Sequence, residues 1–226
     1  MIKNIPNLIT LCNLTLGLLA IFHGLINSDL VLCSFLIASG VFLDFLDGKI
    51  ARYLKVESHF GKQLDSFADM VTFGIAPSVI IYKLLEASGS HFTYLAFCVP
   101  IFSAIRLAKY NIDNKQGNYF IGLTTTVNAS LLSSLPLIQQ FQSSKFIESL
   151  LSDSSFLISF TLLFSFLLIS NVTTFSLKFY SANKMEKKLK ALFIIVSILF
   201  FILLKYLAIP IIIFFYMLLS IIFKPK

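Results

Sequence analysis

The chain has 226 residues, 57% of them hydrophobic and only 13% charged, and its mean hydropathy is +0.88. A soluble domain has about 45–50% apolar and about 25% charged residues, so this composition excludes one and implies an integral membrane protein. The net charge of +7 does not require nucleic acid as a partner, because basic loops against an anionic leaflet gain about 1 kcal/mol per residue.

At about 20 apolar residues per span, apolar runs predict helices over 7–26, 30–54, 63–84, 92–111, 122–141, 154–177, 190–206 and 208–223. The first is read as a span and not a signal peptide, since Asn7, Thr10, Asn13 and Thr15 interrupt it and no small-residue cleavage site follows. The fifth carries Pro136, and the last two meet at Ala208-Ile209-Pro210. With the N-terminus inside, fifteen of the eighteen Lys and Arg residues fall on the cytoplasmic side, leaving Lys83, Lys145 and Lys205 outside. The expectation is therefore an all-α, polytopic bundle of about eight spans, a single membrane domain over 1–226 with both termini cytoplasmic. The basic run KFYSANKMEKKLK at 178–190 reads as a topology signal and headgroup contact. Cys12, Cys33 and Cys98, like His23, His59 and His91, are scattered and fit neither a disulfide framework nor a zinc site.

Residues 44–69, DFLDGKIARYLKVESHFGKQLDSFAD, break this apolar pattern, holding five of the chain's eleven acidic residues, four of them aspartates. Asp44, Asp47, Gly48 and Ala51 share one face of the second helix, and Asp65 and Asp69 stand at i and i+4 on the third. The short polar link KVESHFG, with Gly61 as its expected turn, makes the two helices antiparallel neighbours, so four carboxylates converge. Each ionised Asp at depth costs about 2.5–3.5 kcal/mol on insertion scales. Lys49, Arg52 and Lys62 would offset part of that charge, but an oxygen-rich cluster is what hard divalent cations such as Mg²⁺ or Mn²⁺ prefer. A pair of such ions suits phosphoryl transfer. Gly48 and Ala51 leave room for a ligand, and Arg52 presents a planar fork to phosphate oxygens. Arg106 and Lys109, one turn apart and followed by Asn111, offer cations for a substrate carboxylate or lipid phosphate, and Asn7, Thr10 and Asn13 recur on one face of the first helix.

The set Asp44, Asp47, Gly48, Ala51, Arg52, Gly61, Asp65 and Asp69 resembles, without gap or substitution, the signature of the CDP-alcohol phosphotransferase family. The resemblance implies a membrane enzyme with a six-helix catalytic core that moves a phosphatidyl or similar group from a CDP-linked donor to a hydroxyl. It also implies roles: Asp44, Asp47, Asp65 and Asp69 as ligands of two divalent ions, Asp69 as catalytic base, and Gly48, Ala51, Arg52, Gly61 and Asp65 as nucleotide contacts. IPNLITLCNL at the start, GKQLDSFADMVTFGIAPS at 61–78, IRLAKYN at 105–111 and YFIGL at 119–123 resemble one bacterial and archaeal branch, the CDP-diacylglycerol serine O-phosphatidyltransferases. That branch implies phospholipid biosynthesis at the cytoplasmic (inner) membrane, CDP-diacylglycerol and L-serine as substrates, a site facing the cytoplasm, and in many members a homodimer. Lys62, Ser66, Arg106 and Lys109 are the residues expected near the acceptor or lipid phosphate. The chain departs from the branch at Thr124, where Pro is frequent, and at Lys49, where Arg is frequent.

Two other readings stand beside this one. The same chemistry could use glycerol 3-phosphate or an inositol compound as acceptor. A transporter or cation channel would also carry intramembrane carboxylates, but spread through the bilayer depth, whereas these are gathered near the basic end of two helices.

Overall fold

The computed structural model describes residues 4–56, 58–112, 119–142, 144–175 and 184–222. Lys3, Lys115, Lys178, Lys224 and Lys226, which contribute to the charge asymmetry, lie outside them, as do residues 178–183 of the basic run. The elements are helices α1 (Ile5–Ile26), α2 (Leu30–Leu54), α3 (His59–Asp69), α4 (Ala76–Ala87), α5 (Cys98–Ile112), α6 (Thr125–Phe141), α7 (Lys145–Ser152), α8 (Ser154–Ile169), α9 (Lys184–Leu204) and α10 (Ala208–Ile222). A short antiparallel pair, β1 (Tyr119–Ile121) with β2 (Thr173–Phe175), is the only strand structure among the described residues.

The packing is that of a protein whose solvent is lipid. Large apolar side chains such as Leu8, Phe22, Phe42, Phe45, Ile198 and Ile202 face outward, while Thr10, Asn13, Thr72, Ser103, Asn128 and Ser165 are buried. Lipid removes the hydrophobic drive between helices, so close backbone approach through small residues takes its place. On α1 the buried positions are Pro6, Thr10, Asn13, Gly17, Ala20 and Gly24, a small and polar stripe. It runs antiparallel along α2: Gly24 faces Cys33 at one end and Thr10 bonds Asp47 at the other.

Between α3 and α4 the helix widens into a π-helical segment, Met70–Ile75, whose end is marked by an i→i−5 bond from Ala76 N–H to the Val71 carbonyl. Pro77 follows immediately and has no N–H to continue an α ladder. Thr72 projects from this wide turn against Gly17 and Gly40, and its hydroxyl donates to the Asn13 carbonyl at 3.0 Å. A Cβ on either glycine would collide with Thr72. The continuous stretch from α3 to α4 is the best-buried of the apolar helices, and Phe73, Ile80 and Leu84 form the core with Ile37, Leu132 and Leu157.

Among the described residues, five helical stretches are long and apolar enough to cross a membrane: Ile5–Ile26, Leu30–Leu54, His59–Ala87, Thr93–Ile112 and Ala191–Ser220. A sixth arises if α7 and α8, bent by 74° at their junction, count as one span. The stretch Ala191–Ser220 is not one straight helix. Phe193 stacks on Phe215 with ring centroids 6.1 Å apart, whereas 22 residues of continuous helix would separate them by about 33 Å. The chain turns back at Lys205, whose φ is +46°. Gln142 clamps that turn, donating to the Leu204 carbonyl at 2.7 Å and accepting from Leu207 N–H at 2.8 Å.

Each of the eight expected segments coincides with a helix, and two boundaries are corrected. The sixth, expected over 154–177, stops at Ile169, because Ser170 turns extended and β2 pairs with β1. Gly122, with φ +75°, joins this pairing through its N–H to the Val172 carbonyl, and a Cβ there would stand 2.5 Å from the Leu168 carbonyl oxygen. The turn before α3 is not at Gly61. Lys55 takes the left-handed conformation at the end of α2 (φ +54°), and Ser58 caps α3 by accepting from Gly61 N–H at 2.9 Å. Gly61 is thus inside the first helical turn. Thr124, the departure from the branch pattern, is the N-cap of α6 and accepts from Val127 N–H.

Candidate active site

The site stands where the C-terminal half of α2 meets α3. Asp44 and Asp47 lie one turn apart on α2, and the Asp65 side chain reaches them from α3. Carboxylate oxygens of Asp44, Asp47 and Asp65 all come within 4.8 Å of one another. Asp69, one turn beyond Asp65 at the end of α3, is 9% exposed and stands outside that 4.8 Å set.

Among the described residues no Lys or Arg forms a salt bridge with these four acids; the one ion pair is Lys83 with Glu86. Lys49 lies over the Phe45 ring, and Lys62 over the ring of Tyr110. At 4.8 Å and an effective dielectric of 20, each ionised pair repels by about 3.5 kcal/mol. Oδ1 of Asp65 and Oδ1 of Asp69 are buried without a hydrogen-bond partner. Carboxylate oxygens that are close, buried and free form the donor set of a hard divalent cation, so the residues fit a metal ion. One oxygen is already committed: Thr10 Oγ1 lies 2.6 Å from Asp47 Oδ2.

Beside the carboxylates opens a cavity of about 540 Å³, within the usual range for small-molecule sites. Asp47, Gly48, Ala51 and Arg52 line it from α2, Gly61, Lys62 and Asp65 from α3, and Pro6, Asn7 and Thr10 from α1. Only Arg52's own guanidinium comes within 4 Å of where a Gly48 Cβ would stand, so the cavity floor is open there. At Gly61 a Cβ would stand 3.0 Å from Asn7 Oδ1, which explains why the smallest residue serves where α3 rests on α1.

The structure gathers most of the residues expected from the sequence. Asp44 belongs to the carboxylate cluster but does not line the cavity. Ser66 is held on the α5 side by Asn111, and Arg106 is buried on α5 with its guanidinium 5.9 Å from the Tyr110 ring centroid. Lys109 is exposed and does not line the cavity. Of the three α1 polar residues, Asn7 and Thr10 reach the cavity, while Asn13 packs behind it against Gly40. Sequence reasoning missed Val56, Ser58, His59 and Tyr110 in the lining. Tyr110 had a legible signal, one helical turn after Arg106. The other three come from a link read only as a connector.

The sequence model of the CDP-alcohol phosphatidyltransferase family matches residues 3–152. The chain belongs to this family. It is a membrane enzyme of the CDP-alcohol phosphotransferase type, and the matched segment contains the whole site and helices α1 to α7. The chain is similar to the CDP-diacylglycerol serine O-phosphatidyltransferase of Bacillus subtilis (strain 168), 42% identical over 120 residues, 53% of this chain and 67% of the relative. It is 34% identical over 199 residues to the enzyme of the same name from Helicobacter pylori (strain ATCC 700392 / 26695), covering 85% of this chain and 78% of the relative. The counterpart from Methanocaldococcus jannaschii is 38% identical over 131 residues, 58% of this chain and 59% of the relative.

Proposed function

We propose that the protein transfers the phosphatidyl group of CDP-diacylglycerol to the hydroxyl of L-serine, giving phosphatidylserine and CMP. The observation that carries this reading is the convergence of Asp44, Asp47 and Asp65 on the wall of a cavity shared with Gly48, Ala51, Arg52 and Gly61. The activity for which these relatives are named supports the choice of acceptor.

In this mechanism Gly48, Ala51, Arg52, Gly61 and Asp65 seat the CDP moiety, the two small residues letting the diphosphate approach the backbone of α2. Asp44, Asp47, Asp65 and Asp69 would hold two divalent ions, Mg²⁺ or Mn²⁺, which when bound neutralise diphosphate charge and stabilise the leaving oxygen. Asp69 accepts the serine hydroxyl proton. The serine oxygen then forms a bond to the β-phosphorus as the bond from that phosphorus to the bridging oxygen breaks, and CMP departs with the electron pair. Among the described residues no Cys or His joins the carboxylate cluster, although His59 lines the adjoining cavity, and the reaction is read as a single displacement. Lys62, Ser66 and Arg106 serve the acceptor side, and Lys109 meets headgroups.

The chain is read as one domain of about eight spans with both termini and the active site on the cytoplasmic side of the inner membrane. The segment from Asp69 to Ala87 supports a site near one face of the membrane. It runs 18 residues, about 27 Å of helix, from the carboxylates to an end marked by the aromatic cluster of Tyr82, Tyr94 and Phe97. Aromatic belts mark the membrane–water interface.

The test is CMP release from CDP-diacylglycerol by purified protein, with serine, glycerol 3-phosphate and inositol offered separately. Serine alone should support turnover; release of CMP with another acceptor but not with serine refutes the assignment.

A further inference from the structure

Asn13 is an unpaired amide in the interior of a membrane bundle. Its side chain is 0% exposed, and neither Nδ2 nor Oδ1 has a hydrogen-bond partner. Buried polar atoms in a protein are almost always paired, and within lipid the penalty for leaving them unpaired is steep. The backbone of the same residue is pinned, because the Thr72 hydroxyl donates to the Asn13 carbonyl at 3.0 Å. The side chain abuts Gly40, where an added Cβ would stand 2.8 Å from Asn13 Oδ1.

These contacts set the height of Asn13 relative to the carboxylates. Thr10 is one turn nearer the site on α1, Asp44 is one turn beyond Gly40 on α2, and Asp69 is one turn before Thr72. Asn13 therefore stands one turn beneath the cluster, where the three segments that surround it meet. Helical side chains lean toward the N-terminus of their own helix and cover the preceding turn. The N-terminal end of α1 is at the site, since Pro6, Asn7 and Thr10 line the cavity, so Asn13 leans toward the carboxylates. Helix α2 runs the other way, and Asp44 leans back over Gly40, the residue that Asn13 abuts. Asp69 leans away, toward Asp65. Thr10 and Asp47 meet across the same two helices by the same opposed lean. Because both amide atoms of Asn13 are free, a half-turn of the amide exchanges acceptor for donor at Gly40 without breaking a bond.

We infer that Asn13 is a positioning residue for Asp44. Its amide donates to one oxygen of the Asp44 carboxylate when the cluster holds a divalent ion, leaving the other oxygen for the ion, and Gly40 provides the room for that contact. Helix α1 then supports both ligands of α2, Thr10 acting on Asp47 and Asn13 on Asp44, although neither residue belongs to the signature set. The inference rests on the metal reading of the carboxylates and adds to it a residue from outside the cluster and the cavity.

The experiment takes wild type, Asn13→Leu and Asn13→Ala in detergent and measures Mn²⁺ binding by electron paramagnetic resonance, the unfolding midpoint of the metal-free protein, and CMP release. Leu keeps the length and the branch of Asn without its polar atoms. Mn²⁺ should bind Asn13→Leu about 10–100-fold more weakly, the usual cost of losing an outer partner of a metal ligand, with kcat recovered at saturating metal. The metal-free midpoint of Asn13→Leu should rise, because unpaired polar atoms leave the interior. A residue that only packs gives a different pattern. Unchanged Mn²⁺ affinity, or weaker binding together with a lower midpoint, overturns the inference. Asn13→Ala is too small to clash with Gly40 and should lose Mn²⁺ affinity and recover kcat in the same way; a kcat that excess metal does not restore also overturns the role. Wild type that binds no Mn²⁺ refutes the metal reading itself, and the inference with it.

Discussion

Thr10→Val is a near-isosteric change that removes one donor and tests how a carboxylate in this site is oriented. The Thr10 hydroxyl has two acceptors in reach, Asp47 Oδ2 at 2.6 Å and the Pro6 carbonyl at 3.0 Å. It has one proton, and the shorter contact to an ionised oxygen wins, because charge-assisted bonds are shorter and about twice as strong as neutral ones. Thr10 is 4% and Asp47 5% exposed, so water does not readily replace the lost donor. The loss is then about 1.5–3 kcal/mol, which is about a 10–150-fold effect, and outer-shell partners of metal ligands cost about 10–100-fold in affinity when removed. The half-saturating concentration of Mg²⁺ or Mn²⁺ should rise by about 10–100-fold, with kcat recovered at saturating metal, while Thr10→Ser stays near wild type. The assay is CMP release titrated with either ion. A Thr10→Val curve that overlays wild type, or a loss of kcat that excess metal does not restore, refutes the positioning role.

Asp69→Asn should lower turnover by about 10²–10⁴-fold, the usual worth of a positioned general base, while equilibrium binding of CDP-diacylglycerol survives; near-normal turnover would sink the base assignment. Asp47→Asn and Asp65→Asn each remove one charge from the set within 4.8 Å and should abolish metal-dependent CMP release, so an unshifted metal titration in either contradicts the ligand assignment. Gly122→Ala should destabilise the fold by about 1–3 kcal/mol, read as a lower unfolding midpoint in detergent. Gly89→Ala is its control, with a similar φ of +72° but nothing within 4 Å of the added Cβ, and equal effects of the two would show that the Leu168 contact is irrelevant.

The site was legible in the chain because its chemistry is local. Asp44 to Asp69 lie within one helix pair, and helical spacing alone puts Asp44 beside Asp47 and Asp65 one turn before Asp69. The eight segments were legible for a similar reason: in lipid, every backbone group must be satisfied within the segment, so an apolar run of sufficient length is a helix. Boundaries were less so where local signals competed. Gly61 carries a turn signal, yet Ser58 caps the helix three residues earlier and the glycine's function is to let α3 rest on Asn7. At the end of α8 an apolar run continues, but the chain leaves the helix to pair with residues some fifty positions earlier, a contact no local pattern encodes.

Sequence alone therefore determined the membrane class, the order of helices, and the four carboxylates with their small neighbours and Arg52, because composition, period and spacing are properties of neighbouring residues. Tertiary structure decided what surrounds them. Thr10 lines the cavity and is also the hydrogen-bond partner of Asp47, Asn13 withdrew behind the site, and Asn111 came to bond Ser66 of α3. These outcomes depend on which faces of α1 and α5 meet α2 and α3. That is set by close packing at Gly17, Gly40 and the widened turn around Thr72, among residues far apart in the chain.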